Sequence, residues 1–165
     1  MSLNLSLPRS IDENLNKRIE IIEGCEEDLD FRATVMEACR RDLLLWINGF
    51  AWTQDPRKAN LMRIPFVTYE AFQDQAILDI QTAIDIGEDL LIEKPRDMGL
   101  SWMIVYIFTW YWLFHDNCNF RIGSRKEDFV DKIGVMDTLL EKIRFTLRYL
   151  PSWMQPKGYD EGTHA

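Results

Sequence analysis

The chain has 165 residues, 47% of them apolar, a length and composition that suit one domain with its own core. A formal net charge of -8 argues against a protein held to nucleic acid mainly by a basic surface, because such binding draws on phosphate neutralisation by Lys and Arg. Cys25, Cys39 and Cys118 are odd in number and widely spaced, so neither a disulfide framework nor a CxxC zinc site is expected, and a reduced cytosol fits best.

The first residues, MSLNLSLPRS, lack a basic start followed by a long apolar run, and no secretory signal is expected. Ser10 and Glu13 stand at capping-box spacing and open an acidic, weakly amphipathic helix over residues 11 to 23. Over residues 30 to 50, Phe31, Val35, Cys39, Leu43, Trp46, Ile47 and Phe50 recur at spacings of three and four, which predicts one helix with an apolar face. It should stop near Asn48 and Gly49, with TQDPRK as a turn. NLMRIPFVT is expected to be extended, since Pro65 disfavours helix at Ile64. Thr68 then reads as the N-cap of a helix with an inner face of Phe72, Ala76, Ile77, Ile80, Ala83 and Ile84, closed by Gly87.

DLLIE follows as a short apolar strand, then the loop EKPRDMGLSW, residues 93 to 102. Residues 98 to 114 carry no charge over nearly the length that crosses a bilayer. The run stands alone, lacks a basic cluster on one side and starts with a loop, so a helix buried on all sides is expected and no membrane partner. Residues 117 to 123, NCNFRIG, read as a second strand. Ser124 and Glu127 form another capping box for a helix with Phe129, Ile133, Met136, Leu140, Ile143, Leu147 and Leu150 on its face, ended by Pro151. The order predicts an α/β fold. Residues 89–94 and 118–123 would be parallel strands joined by a right-handed crossover through residues 100–114.

The loop is where chemistry concentrates. The phosphate-cradling pattern GxxxxGK[ST] puts Lys94 where the first Gly belongs and Leu100 where the Lys belongs, but keeps Gly99 and Ser101. Binding phosphate needs converging backbone N–H groups, a positive helix end and a side-chain cation, with a hydroxyl for Mg²⁺. Gly99 permits close backbone approach, residues 99 to 102 open the helix, and Ser101 is placed to ligate the metal. Lys94 or Arg96 could supply the cation from another side. In the competing reading both are exposed turn charges, and Gly99 is a bend before a core helix. Asp97 is expected to fix the loop by accepting backbone N–H bonds.

KPRDMGLSW resembles the deviant Walker A segment of the large terminase subunits of tailed bacteriophages, ATP-driven motors that package DNA into proheads. In that family a basic residue near the loop's start takes over from the usual Lys, as Lys94 would. WINGFAWTQDPR followed by IPFVTYEAFQDQAIL is similar to the stretch upstream of the loop, and FRIGSRKEDFVDK resembles the strand and helix downstream. The resemblance covers residues 30 to 150 or so. It implies a P-loop ATPase core of the RecA-like, additional-strand type with a parallel sheet over residues 66–165, preceded by a helical lead-in over residues 1–65. It also implies ATP and Mg²⁺ as ligands, with Gln73 (after Phe72) at the adenine and Lys94, Pro95, Arg96, Asp97, Met98, Gly99, Leu100, Ser101 and Trp102 around the phosphates. Partners would be double-stranded DNA, the portal, the small terminase subunit and like subunits, in the cytoplasm of the bacterial host.

No apolar strand ending in Asp and Glu follows Ser101, and the family's coupling motif and nuclease domain have no counterpart. The chain is therefore expected to hold half an ATP site and no catalytic residue of its own. Without the resemblance, Gln73 is a polar residue on an exposed helix face. Arg121, Arg125, Lys126 and Lys132 interleave with Glu127, Asp128 and Asp131 and read as a solvated helix face. His115 and His164 lack metal-ligand spacing, and the six Trp residues are expected to be mostly core. Two other classes stay open: a fragment of another P-loop ATPase, such as a helicase-related enzyme, and a non-catalytic helical interaction module.

Overall fold

A computed structural model describes residues 5–54 and 63–159. Six α-helices carry the described fold: α1 (Ile11–Glu27), α2 (Leu29–Arg41), α3 (Leu43–Phe50), α4 (Gln75–Ile86), α5 (Leu100–Phe114) and α6 (Leu139–Arg148). Two three-residue strands, β1 (Trp52–Gln54) and β2 (Arg63–Pro65), pair antiparallel with Thr53 opposite Ile64. The turn TQDPRK and the start of NLMRIPFVT fall largely outside the described residues.

This architecture corrects the expected RecA-like core. The sheet is two-stranded and antiparallel, and neither residues 89–94 nor residues 118–123 form a strand. There is accordingly no parallel pair for α5 to cross between. A short apolar run cannot by itself specify a strand, because a strand exists only against a partner edge. Here Leu91 is 94% exposed and Leu90 47% exposed. Downstream, Asn117 turns into the left-handed region at φ 61, and Phe120 stacks on Phe108 with ring centroids 4.3 Å apart.

Two helices are shorter than their apolar periodicity predicts. The helix expected over 30–50 breaks at Asp42, whose backbone is extended (φ -131, ψ 101) and whose carboxylate accepts from Leu45 N at 2.8 Å, capping α3. Asp28 does the same for α2, accepting from Asp30 N and Phe31 N. The helix expected from Ser124 is reduced to a 3₁₀ turn, Glu127–Phe129, and resumes as α6 after Gly134, at φ 77. Neither Ser10 nor the Ser124–Glu127 pair makes the predicted cap: Ser10 has no side-chain cap bond, and the N-cap position of the 3₁₀ turn is Lys126.

The predicted inner faces nonetheless meet in the core. Val35, Cys39, Leu43, Trp46, Ile47 and Phe50 are buried across the break between α2 and α3, and pack with Ile77 and Ile80 of α4. α5 is hydrophobic all round because it is covered on several sides, by α6, α3 and α4. Its 15 residues span about 22 Å at 1.5 Å per residue, short of a hydrocarbon core of about 30 Å. No helix among the described residues is long and apolar enough to cross a membrane.

A charged side chain lies fully inside this core. Arg18 of α1 is fully buried and donates Nε to Asn14 Oδ1 (2.6 Å), Nη1 to the Ala51 carbonyl (2.6 Å), and Nη2 to the carbonyls of Asn48 (2.7 Å) and Phe66 (3.0 Å). The guanidinium thus meets the C-terminal end of α3, where carbonyls lack helical partners and the helix dipole is negative. Burial pushes its pKa down to about 9, which leaves it charged at neutral pH.

Candidate functional site

The loop is positioned by what precedes it. Residues 66–69 form no regular element, with Tyr69 extended, until a π-helical turn, Glu70–Asp74, leads into α4. Thr68 does not cap that turn. Its hydroxyl accepts from Asn48 Nδ2 at 3.0 Å and its N–H donates to Asn48 Oδ1 at 2.9 Å, so the residue is fixed inside the fold and Tyr69 takes the N-cap position. The wide turn swings Phe72 outward to 40% exposure, where it stacks on Tyr69 at 5.5 Å, and swings Gln73 inward to 5%.

Gln73 is the link between this turn and the loop. Its Oε1 accepts from Tyr69 N at 3.0 Å, and its Nε2 donates to the Met98 carbonyl at 3.0 Å. It is therefore a buried strut, where the bare sequence reads an exposed polar residue. The next residue, Gly99, sits in the left-handed region at φ 76 and is the N-cap of α5. A Cβ there would meet Gln73 Nε2 at 3.1 Å. The left-handed conformation favours glycine, and a Cβ would press on Gln73 Nε2.

From Gly99 the chain enters α5. Trp102 N and Met103 N both donate to the Gly99 carbonyl, at 3.0 and 3.1 Å, and the amides of Leu100 and Ser101 just before them take no part in the helical ladder. Ser101 is exposed, while Leu100 and Trp102 are half-buried. On the other side of Gly99, Lys94, Pro95, Arg96 and Asp97 are exposed, and Met98 is half-buried. Lys94 Nζ donates to the Pro95 carbonyl at 3.0 Å, folding back over the loop. Asp97 takes φ 64, a conformation that Asp tolerates better than most side chains. The structure thus joins Gln73 to the loop and gathers residues 94–102 at the start of one helix.

Trp102 anchors the helix start. It stacks on Tyr106 at 5.6 Å, meets the edge of Phe145 at 5.7 Å, and carries Lys142 Nζ 5.5 Å from its ring. Lys142 is buried, donates to the Met136 carbonyl at 2.7 Å, and has its pKa lowered by burial. Sequence reasoning placed no cation here, because Lys142 falls among the charges that alternate with the apolar face of α6.

The other candidates lie elsewhere. Arg121, Arg125, Lys126 and Lys132 are exposed, with Arg125 over the Phe129 ring at 4.9 Å. His115 packs against Trp110 at 4.6 Å, and His164 lies outside the described residues. No cluster of three metal-ligating side chains occurs among the described residues. A cavity of about 710 Å³, with Arg63, Glu141, Phe145, Arg148 and Tyr149 in its wall, shares no residue with the loop.

Gly99→Ala is expected to cost about 1–2 kcal/mol from the left-handed backbone alone, and to push Gln73 off the Met98 carbonyl. Thermal denaturation reads the first effect and amide exchange at residues 98–101 the second. An unchanged melting temperature with unchanged exchange would show that the loop accommodates a side chain. Comparison with known proteins finds no family model, no curated protein and no solved structure that matches the chain.

Proposed function

We propose that residues 93–102 bind the phosphates of ATP with Mg²⁺, and that the chain is the ATP-binding portion of a tailed-bacteriophage terminase large subunit. In such a motor, ATP hydrolysis would drive double-stranded DNA into a prohead in the bacterial cytoplasm. Portal, small terminase subunit and like subunits would be its partners, and an endonuclease domain would belong to the full-length protein. The family assignment rests on the order KPRDMGLSW, IPFVTYEAFQDQAIL and FRIGSRKEDFVDK.

The observation that carries the phosphate reading is the start of α5. Gly99 is left-handed, the amides of Leu100 and Ser101 lie outside the helical ladder, and Lys94 and Arg96 stand exposed on the adjoining loop. A helix N-terminus with free N–H groups favours an anion, and a nearby cation adds to the field. Ser101 Oγ is the hydroxyl offered to Mg²⁺. A helical interaction module without nucleotide is the second reading, favoured by the helix-rich fold and its small antiparallel sheet.

Backbone amide shifts during titration with ATP and Mg²⁺, and separately with tripolyphosphate, decide between them. Weak binding is expected, seen as progressive shifts at residues 97–102 with both ligands. Phosphate release should stay at background, since no apolar strand ending in Asp and Glu follows the loop to hold the metal and orient water. Unmoved amides at residues 97–102 would leave the interaction module standing. Turnover abolished by Ser101→Ala would reveal a catalytic carboxylate within these 165 residues.

A further inference from the structure

The π-helical turn that carries Gln73 is fastened from outside by a residue 65 positions away from its end. Arg9, in the segment before α1, grips the Asp74 carboxylate with both terminal nitrogens: Nη1 to Oδ1 at 3.2 Å and Nη2 to Oδ2 at 2.7 Å. This is the fork geometry that only arginine offers a carboxylate. Nη1 also donates to the Thr68 carbonyl at 3.1 Å and to the Thr68 hydroxyl, and it reaches Asn48 Oδ1 at 3.3 Å. One guanidinium therefore holds the residue just before the turn's N-cap and the last residue of the turn itself.

That placement matters because a π turn is an uncommon register. Its defining bond here, Asp74 N to the Tyr69 carbonyl, is 3.4 Å long, whereas Gln73 N reaches the same carbonyl at 2.8 Å. Such turns are uncommon in helices and persist where their surroundings hold them. Returning to α-helical register would rotate one end of the turn by about 100°, the angle between successive residues of an α-helix. Gln73 would then leave the Met98 carbonyl, and the loop would lose its strut.

We propose that Arg9 is a positioning residue for the loop: by holding Thr68 and Asp74 it keeps the turn in the register in which Gln73 bonds Met98. The consequence for ligand affinity rests on the phosphate reading of residues 93–102, whereas the mechanical link does not. Arg9 touches no loop residue in the contacts described; its effect is routed through Gln73, whose Nε2 bonds the Met98 carbonyl.

Two variants, Arg9→Gln and Asp74→Asn, break the same fork from either side, the second with almost no change in shape. In nucleotide-free protein each is expected to raise amide exchange at residues 98–101 about tenfold, while the amides of α1 and α2 hold their protection. With Gln73→Ala in the background, Arg9→Gln should add nothing further. A merely structural role would loosen the whole fold and add its effect to that of Gln73→Ala. In parallel, titration with ATP and Mg²⁺ should show affinity falling by a similar factor in Arg9→Gln, and again no further fall in the double variant. Unchanged exchange at residues 98–101 in both single variants, or additive effects in the double, would overturn the proposal. Loosening of the loop in a protein whose wild type binds no phosphate would uphold the positioning role and remove only the phosphate reading.

Discussion

Arg18→Met is expected to destabilise the protein by about 3 kcal/mol, which for a chain of this size lowers the melting temperature by roughly 10 °C. Two effects oppose each other. Removing the charge relieves the desolvation that burial imposes, and that relief alone can make an apolar replacement neutral. Against it stand the acceptors left behind. The Ala51 carbonyl still receives Phe66 N and the Asn48 carbonyl still receives Asn14 Nδ2, but Asn14 Oδ1 and the Phe66 carbonyl lose the guanidinium that serves them. Each orphaned buried acceptor costs about 1–3 kcal/mol, so two of them outweigh the relief. Arg18→Lys should recover little, because one ammonium has three donors and no fixed fork. Thermal or urea denaturation of both variants measures it. A loss below about 1 kcal/mol for Arg18→Met would show that desolvation wins.

In an ATP-hydrolysing protein that carries this segment, Lys94→Ala or Arg96→Ala is expected to lower turnover about 100-fold or more, the scale of removing one preorganised stabiliser of transition-state charge. Leu100→Ala should be felt mainly as packing, since Leu100 is half-buried against the core. To reach a phosphate, Lys94 gives up one exposed bond to the Pro95 carbonyl. Steady-state ATPase assays on the three variants separate them, and wild-type turnover in both cation variants would remove the relocated-cation idea.

What the sequence disclosed and what it hid follow from the range of each interaction. The face of Val35, Cys39, Leu43, Trp46 and Ile47 was legible because burial repeats with the helix itself, and it survived a break the pattern did not show. Asp42 made that break through a local side-chain bond, and the signal was there to be read: an N-cap residue directly before LLLW. The expected strands failed for a different reason. DLLIE and NCNFRIG are apolar enough to be strands, but a strand is a relation between two segments, and periodicity in one says nothing of the other.

The site divides the same way. Gly99 stood out because a fixed spacing marks it, and its φ of 76 supplies the physical need. Gln73 as a strut, Arg9 as a clamp and Arg18 as a buried charge were invisible. Their partners are 25, 65 and up to 48 positions away, and most of those partners are backbone carbonyls, which every residue has.

The covering of α5 has a consequence for the order in which the chain is made. α3 and α4 emerge from the ribosome before α5 and offer it part of a seat, but α6, which closes its remaining side through contacts such as Phe145 on Trp102, is made last. Until residue 150 or so has cleared the exit tunnel, a helix with no charged residue faces water along the stripe that α6 will cover. Sticky surface of that kind is what chaperones bind and what nascent neighbours on a polysome aggregate through. A chain halted after α5 has left the tunnel but before α6 has would therefore be far more prone to association than one halted before α5 emerges.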